Sequence, residues 1–241
     1  MRVSATLVLT LLIIPAIAFA GPFEDGKAAY ARHDDLTALK LLIPLADQGN
    51  VEAQLLVGEM YDIGGSDLKP DKREAAKWMV AAAESYRKAA DQGDAESQTQ
   101  LGSMYHAGTG VAQNQTEALK WYRKAADQGY ARAQYAVGMV YQRGSGVWPN
   151  SVEALKWYRK AADQGYAQAQ YSVGSMYESG AGVERDSAEA YFWYSLASHS
   201  GVKHSITRRD EVAAELSPEQ LSALKKRVSE WKPTLVPSAV P

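Results

Sequence analysis

Four histidines are the chain's imidazoles, His33, His106, His199 and His204, and the last two stand five residues apart. A zinc site needs three or four ligands on shared faces, and no third candidate adjoins that pair. Cysteine is absent, which removes a disulfide framework, a zinc–thiolate site, a thiol nucleophile and a lipid-modified cysteine anchor. Gly108-x-Gly110 and its copies could suggest a phosphate loop. They lack the third glycine, the Lys-Ser/Thr and the preceding strand, so an interhelix turn is the better reading. Asp34-Asp35 and Asp210-Glu211 read as cap or surface carboxylates, and nothing sets two carboxylates across a cleft. No serine has a nucleophile-elbow context. These residues indicate no enzyme, no metal and no cofactor.

Composition narrows the class further. Of 241 residues, 46% are hydrophobic and 22% charged, which suits a folded chain and excludes disorder as its overall state. Lys and Arg number 26 against 28 Asp and Glu, a net charge of −2, so nothing calls for nucleic acid or a polybasic membrane surface. At the N-terminus Arg2 precedes an apolar run from Leu7 to Ala18, and Ala18-Phe19-Ala20 supplies small residues before Gly21. Residues 1–20 therefore read as a secretory signal. A membrane anchor would need about 20 apolar residues, and this run is shorter and contains Pro15. Without Arg2 the chain keeps 25 basic and 28 acidic residues, a net of −3, and no stable membrane insertion is expected after cleavage.

The order of the rest is set by a period. Asp-Gln-Gly recurs at Asp47, Asp91, Asp127 and Asp163, spaced by 44, 36 and 36, and Gly201 falls 36 beyond Gly165. Between these marks run Gly58-x-x-Tyr61, Gly102-x-x-Tyr105, Gly138-x-x-Tyr141 and Gly174-x-x-Tyr177. Gly-x-Gly-Val follows from Gly108, Gly144 and Gly180, and Asx-x-x-Glu from Asp71, Asn114, Asn150 and Asp186. Last comes Ala-x-x-Trp, ending at Trp78, Trp121, Trp157 and Trp193. A fixed period of this length means a stacked array.

Each unit reads as two helices. Helix A of the second full unit runs from about Ala95 to His106, and helix B from about Gln115 to Asp127. The Asx residue caps helix B and the Glu three positions on reaches back to it, a capping box. Gly129 and its equivalents close helix B. Gly102, Gly138 and Gly174 cost about 1 kcal/mol each in mid-helix, so their recurrence implies a crossing too close for a Cβ. The excess in the 44-residue unit falls mostly between Trp78 and Gly93, where seven residues are about two helical turns. It reads as a longer helix B in preference to a break near Glu84-Ser85. The expected organisation is a signal over 1–20, a degenerate helix pair over 21–49, repeats over 50–93, 94–129, 130–165 and 166–201, capping helices over 202–232, and a flexible tail over 233–241.

The combination of Gly-x-x-Tyr, Gly-x-Gly-Val, Ala-x-x-Trp-Tyr-x-Lys-Ala-Ala and Asp-Gln-Gly resembles Sel1-like repeats, well over Asn50–Gly201 and weakly over Phe23–Gly49. The 34-residue tetratricopeptide unit fits less well, since Gln98, Gln134 and Gln170 stand where its Trp would be. The resemblance implies an all-α fold, a right-handed α/α solenoid with a C-terminal capping helix. It also implies a non-catalytic scaffold, expected in the periplasm, that binds protein partners and serves envelope signalling or assembly. A cysteine-rich exported subgroup is associated with β-lactam binding, and the absence of Cys argues against membership. An envelope glycan or peptidoglycan partner, or a β-lactam-acting hydrolase, is the alternative.

Solenoids bind along a face lined by equivalent positions of successive units, so contacts are sought where the units differ. One helix-A stripe varies: Glu52, Glu96, Arg132, Gln168; Leu56, Gln100, Ala136, Ser172; Glu59, Ser103, Met139, Ser175. Arg132, Met139, Arg143 and Trp148 make the third full unit distinctive, and Arg and Trp are favoured at binding hot spots. Trp148 either meets a partner or packs back on Pro149. The constant Gly102, Gly138, Gly174, Tyr105, Tyr141, Tyr177, Trp121, Trp157 and Trp193 read as scaffold, and Gln54, Gln98, Gln134 and Gln170 as hydrogen bonds between helices. If Trp157 is fully buried, Trp157→Ala costs about 3–5 kcal/mol and lowers the thermal midpoint; an unchanged midpoint would refute that assignment.

Overall fold

A computed structural model describes residues 21–234. The leader expected over 1–20 and residues 235–241 of the expected tail lie outside them. The described elements are twelve helices. In order they are α1 (Pro22–Ala31), α2 (Asp35–Asp47), α3 (Val51–Ile63), α4 (Lys72–Asp91), α5 (Ala95–Ala107) and α6 (Gln115–Asp127). Then come α7 (Ala131–Arg143), α8 (Ser151–Asp163), α9 (Ala167–Ser179), α10 (Ser187–His199), α11 (Lys203–Ala213) and α12 (Pro218–Glu230). Neighbours pair as α1/α2, α3/α4, α5/α6, α7/α8 and α9/α10, and each pair packs on the next through its second helix.

The second helix of each pair starts where the Asx residues stand. Asn114 and Asn150 each accept from the amide three residues on at 3.0 Å, and Asp71 and Asp186 each accept from two first-turn amides. The reciprocal half of the expected capping box is missing in the repeats. The Asx amides are already committed, Asn114, Asn150 and Asp186 each donating to the carbonyl of Tyr105, Tyr141 or Tyr177 at 2.9 Å. Glu74, Glu117 and Glu153 pair instead with the Lys three residues on. Both halves of the box do form at Ser217 and Gln220, which start α12. At the other end Gly129 adopts φ +91°, a left-handed conformation that a side chain resists.

Within a pair the mid-helix glycine receives a ring. A Cβ on Gly138 would lie 2.5 Å from Cδ1 of Tyr158, and Cβ atoms on Gly102 and Gly174 would lie 2.7 and 2.8 Å from Cδ1 of Tyr122 and Tyr194. The aromatic residue one past each Trp is thus the wedge between the helices, and Tyr158 and Tyr194 are fully buried. In the first repeat Met79 fills that place over Gly58. Trp121 and Trp193 are core as expected from their spacing. Trp157 is only half-buried, with the Lys160 ammonium 4.0 Å from its ring centroid. The cost of Trp157→Ala therefore falls below that of Trp193→Ala.

Helix α4 runs unbroken for 20 residues where α6, α8 and α10 have 13, so no break occurs at Glu84-Ser85. In the first pair His33 makes the tight turn at φ +61° and Asp34 caps α2. At the C-terminal end α12 lies against α10 and not along α11. Its connector is held by Glu215, which accepts from Arg185 at 2.6 Å and from Ser187; these hold the Glu215 carboxyl below its usual range, Ser187 first. Arg227 on α12 reaches Glu189 at 2.5 Å. The expected tail boundary at Pro233 comes early, since the Thr234 amide still donates to the Asp163 carbonyl at 2.7 Å.

Gly138→Ala tests the wedge. Alanine gains about 1 kcal/mol of helix propensity, but overpacking against Tyr158 costs about 1–3 kcal/mol. The expected result is a lower thermal midpoint, read by calorimetry; a raised midpoint would show that the crossing has room.

Candidate functional site

The helix-A stripe is partly surface and partly core. Glu96, Arg132 and Gln168, on the first turns of α5, α7 and α9, are exposed, as is Arg143 at the end of α7. Gln100, Ser103, Met139, Ser172 and Ser175 are half-covered. Ala136 is a correction: at 6% exposure it belongs to the core with Tyr122 and Val137, because α7 turns that position toward α6. Ser103 is also engaged, donating to the Thr99 carbonyl and accepting from the Tyr122 hydroxyl, both at 3.1 Å. Met139 packs against two core clusters and is only partly open to a partner.

The feature the stripe overlooked is a tyrosine cluster. Positions held by Asn50 and Asp94 in the first two repeats become Tyr130 and Tyr166, and those of Leu55 and Thr99 become Tyr135 and Tyr171. Tyr135 lies 5.4 Å from Tyr158 and 5.3 Å from Tyr166 between ring centroids, and Tyr171 lies 5.4 Å from Tyr194. The hydroxyls of Tyr158 and Tyr194 are used, donating to Gln142 at 2.8 Å and to Glu178 at 2.6 Å. Those of Tyr130, Tyr135, Tyr166 and Tyr171 make no hydrogen bond among the described residues. The signal in the sequence was the change of residue type between units at these two registers.

Arg132 stands among these rings. Burial pushes the phenols of Tyr86, Tyr122, Tyr130 and Tyr166 up, and the Arg132 charge opposes the rise at each. Glu96 acts in the opposite sense at Tyr86 and Tyr130, yet Arg132 forms no ion pair among the described residues. Its place is locally unfavourable, since a cation in the first turn of a helix opposes the helix dipole. The cluster also costs caps. Asn50 and Asp94 accept from first-turn amides at 2.9 and 2.7 Å, whereas Tyr130 and Tyr166 cap nothing with their side chains, a loss of about 1 kcal/mol each.

Trp148 is 91% exposed, so it does not pack back on Pro149; Pro149 lies against Gly144 instead. It sits in the loop between α7 and α8. The four constant glutamines are buried. Their side-chain amides donate to the carbonyls of Ala46, Ala90, Ala126 and Ala162, at the end of the preceding helix, at 3.0–3.3 Å. The scaffold tyrosines Tyr105 and Tyr141 accept from Arg87 and Arg123 one unit earlier, and Tyr177 accepts from Arg159 at 3.5 Å. His199 and His204 do not assemble a ligand set with a third partner: His199 Nδ1 lies 2.9 Å from the Ser195 carbonyl. No helix among the described residues is long and apolar enough to cross a membrane.

A stacked array of helix pairs with a surface that differs from unit to unit defines a repeat scaffold. The model of the Sel1 repeat matches residues 51–85, 86–94, 95–130, 131–166 and 167–202, and the chain belongs to that family, whose members are generally protein–protein interaction scaffolds. Among solved structures it is similar to a protective antigen present in uropathogenic Escherichia coli strains displaying an SLR fold. The identity is 29% and the TM-score 0.64, over 87% of this chain and 44% of that one, so the chain spans less than half the antigen's length. It is also similar to a Sel1 repeat protein from Oxalobacter formigenes, at 30% identity and a TM-score of 0.57, over 88% of this chain and 86% of that one. No curated protein matches it.

Trp148 buries almost nothing, so Trp148→Ala is expected to change stability by no more than about 0.5 kcal/mol and to leave the thermal midpoint nearly where it was. A larger drop in a melting experiment would mean that the indole packs on the scaffold.

Proposed function

We propose that this protein is an exported envelope adaptor that holds an extended segment of a partner protein against Tyr130, Arg132, Tyr135 and Tyr166, with Trp148 as a second contact. The observation that carries this reading is the surrender of two helix caps to tyrosines with unbonded hydroxyls around an unpaired arginine. A sequence that breaks a local rule at equivalent places in two units is expected to gain elsewhere, and binding is the usual gain. Tyrosine and arginine supply large contact area with polar tips, the chemistry of interface hot spots. The leader over residues 1–20 supports a periplasmic location, and regulation of signalling or of assembly would both need only this surface.

An envelope glycan is the second reading. It is favoured by Gln100 and Gln168, which lie on the same varying helix-A stripe as Arg132, since sugars take aromatic faces and hydrogen-bonding amides together. Binding to purified sacculi would decide for it.

The test places a photo-crosslinking residue at Gln168 and, as a control, at the exposed Thr116 on α6, in cells. The expected result is one protein captured from position 168 but not from 116, with capture lost in Arg132→Glu while the melting curve is kept. Equal capture from both positions, or capture indifferent to Arg132→Glu, would count against the surface. N-terminal sequencing of the protein from the periplasmic fraction should start at Gly21.

A further inference from the structure

The C-terminal cap holds a cavity between α10, α11 and α12. α11 and α12 both pack on α10, and the three helices line a half-open cavity of about 780 Å³, within the range of small-molecule sites, roughly 300–1,000 Å³. Its walls are divided by chemistry. Leu196 from α10, Ala213 from α11, and Leu221 and Val228 from α12 make an apolar side, with Trp231 at one end.

The polar side has one phenol and one free charge. Tyr191 is 7% exposed as a residue and lines the cavity, and its hydroxyl makes no hydrogen bond among the described residues. That hydroxyl is not one of the buried unpartnered polar atoms, so it keeps access to the open space of the cavity and is free to meet a ligand. The neighbouring Ser195 is satisfied by the Tyr191 carbonyl at 2.7 Å, and His199 by the Ser195 carbonyl. Arg209 is matched by Asp210 at 2.7 Å. Lys225, which also lines the cavity, has no ion pair among the described residues, so the lining carries an uncompensated positive charge.

We infer that this cavity binds an anionic amphiphile, with its hydrocarbon body against Leu196, Ala213, Leu221 and Val228 and its head group taken by the Lys225 ammonium and the Tyr191 hydroxyl. Charge decides the head: a cation would meet the unpaired Lys225, which is exposed at the rim of the cavity, and a neutral chain would gain nothing from that charge. The site is separate from the tyrosine surface around Arg132 and does not depend on it.

Calorimetric titration of the purified protein with decanoate, decanol and decyltrimethylammonium, each below its micellar concentration, tests the assignment. Decanoate is expected to bind saturably at one per chain, with Lys225→Gln weakening it about tenfold, the worth of one charge-assisted contact. Tyr191→Phe, which keeps the ring, should also weaken it, and Leu221→Trp, which fills the cavity, should abolish it. Melting curves confirm that each variant is folded. The proposal fails if decanoate gives no saturable heat, if Leu221→Trp binds as the parent does, or if decanol or the cationic detergent binds equally well. The last outcome would give the cavity to any apolar chain or protein segment instead.

Discussion

The array rests on one hydrogen bond made four times. A helix ends with carbonyls that have no partner within it, and here a carbonyl at the end of the second helix of each pair is covered by the next unit. Leaving it buried and unpaired would cost about 1–3 kcal/mol. Gln54, Gln98, Gln134 and Gln170 supply the donor from the following helix A. Each unit is therefore incomplete until its successor docks. Gln128 and Gln164, from the Asp-Gln-Gly marks, then donate to the oxygens of Gln98 and Gln134 of their own units at 2.8 Å, so each carboxamide relay ties a unit to the one before it. The relay has natural ends. The oxygen of Gln54 stays unpartnered where α4 is two turns longer, and that of Gln170 where Ser200 replaces the next Gln. The register of the buried glutamine itself passes to the exposed Ile206.

Around that bond the packing is done by contrasts of size. A glycine on the first helix and a tyrosine on the second let Tyr122, Tyr158 and Tyr194 lie flat across the crossing, and the remaining volume is filled largely by alanines. Such a core needs no disulfide, in keeping with a chain that has no cysteine. The cationic residues after the tyrosines serve the seams. Arg87, Arg123 and Arg159 reach the Tyr of the following Gly-x-x-Tyr, so the motif's second aromatic is half-buried and bridging while the wedge tyrosine is buried.

Most of the scaffold was legible because periodic constraints leave periodic residues. The limits of α5 and α6, the capping by Asn114 and Asn150, the tight crossing at Gly102, and the continuous α4 all follow from spacing and local backbone chemistry. The capping box was over-read, since the Asx amide of Asn114, Asn150 or Asp186 is taken by a carbonyl nine residues back that only the folded loop brings near. Trp157 and Ala136 were misplaced for a related reason. A helical period of 3.6 assigns a face, but how far a neighbour covers that face is a property of the neighbour.

The sequence by itself determined the class of object, since a repeated capping, wedge and glycine code specifies the helix pair, its length and its stacking. Tertiary structure alone decided which surface is special. Tyr130, Tyr135 and Tyr166 are up to 36 residues apart in the chain and carry no motif; they become a cluster because stacking brings the first turns of α7 and α9 side by side. The cavity under α12 is likewise invisible in Tyr191 and Lys225 as isolated letters. It exists because α12 turns back onto α10.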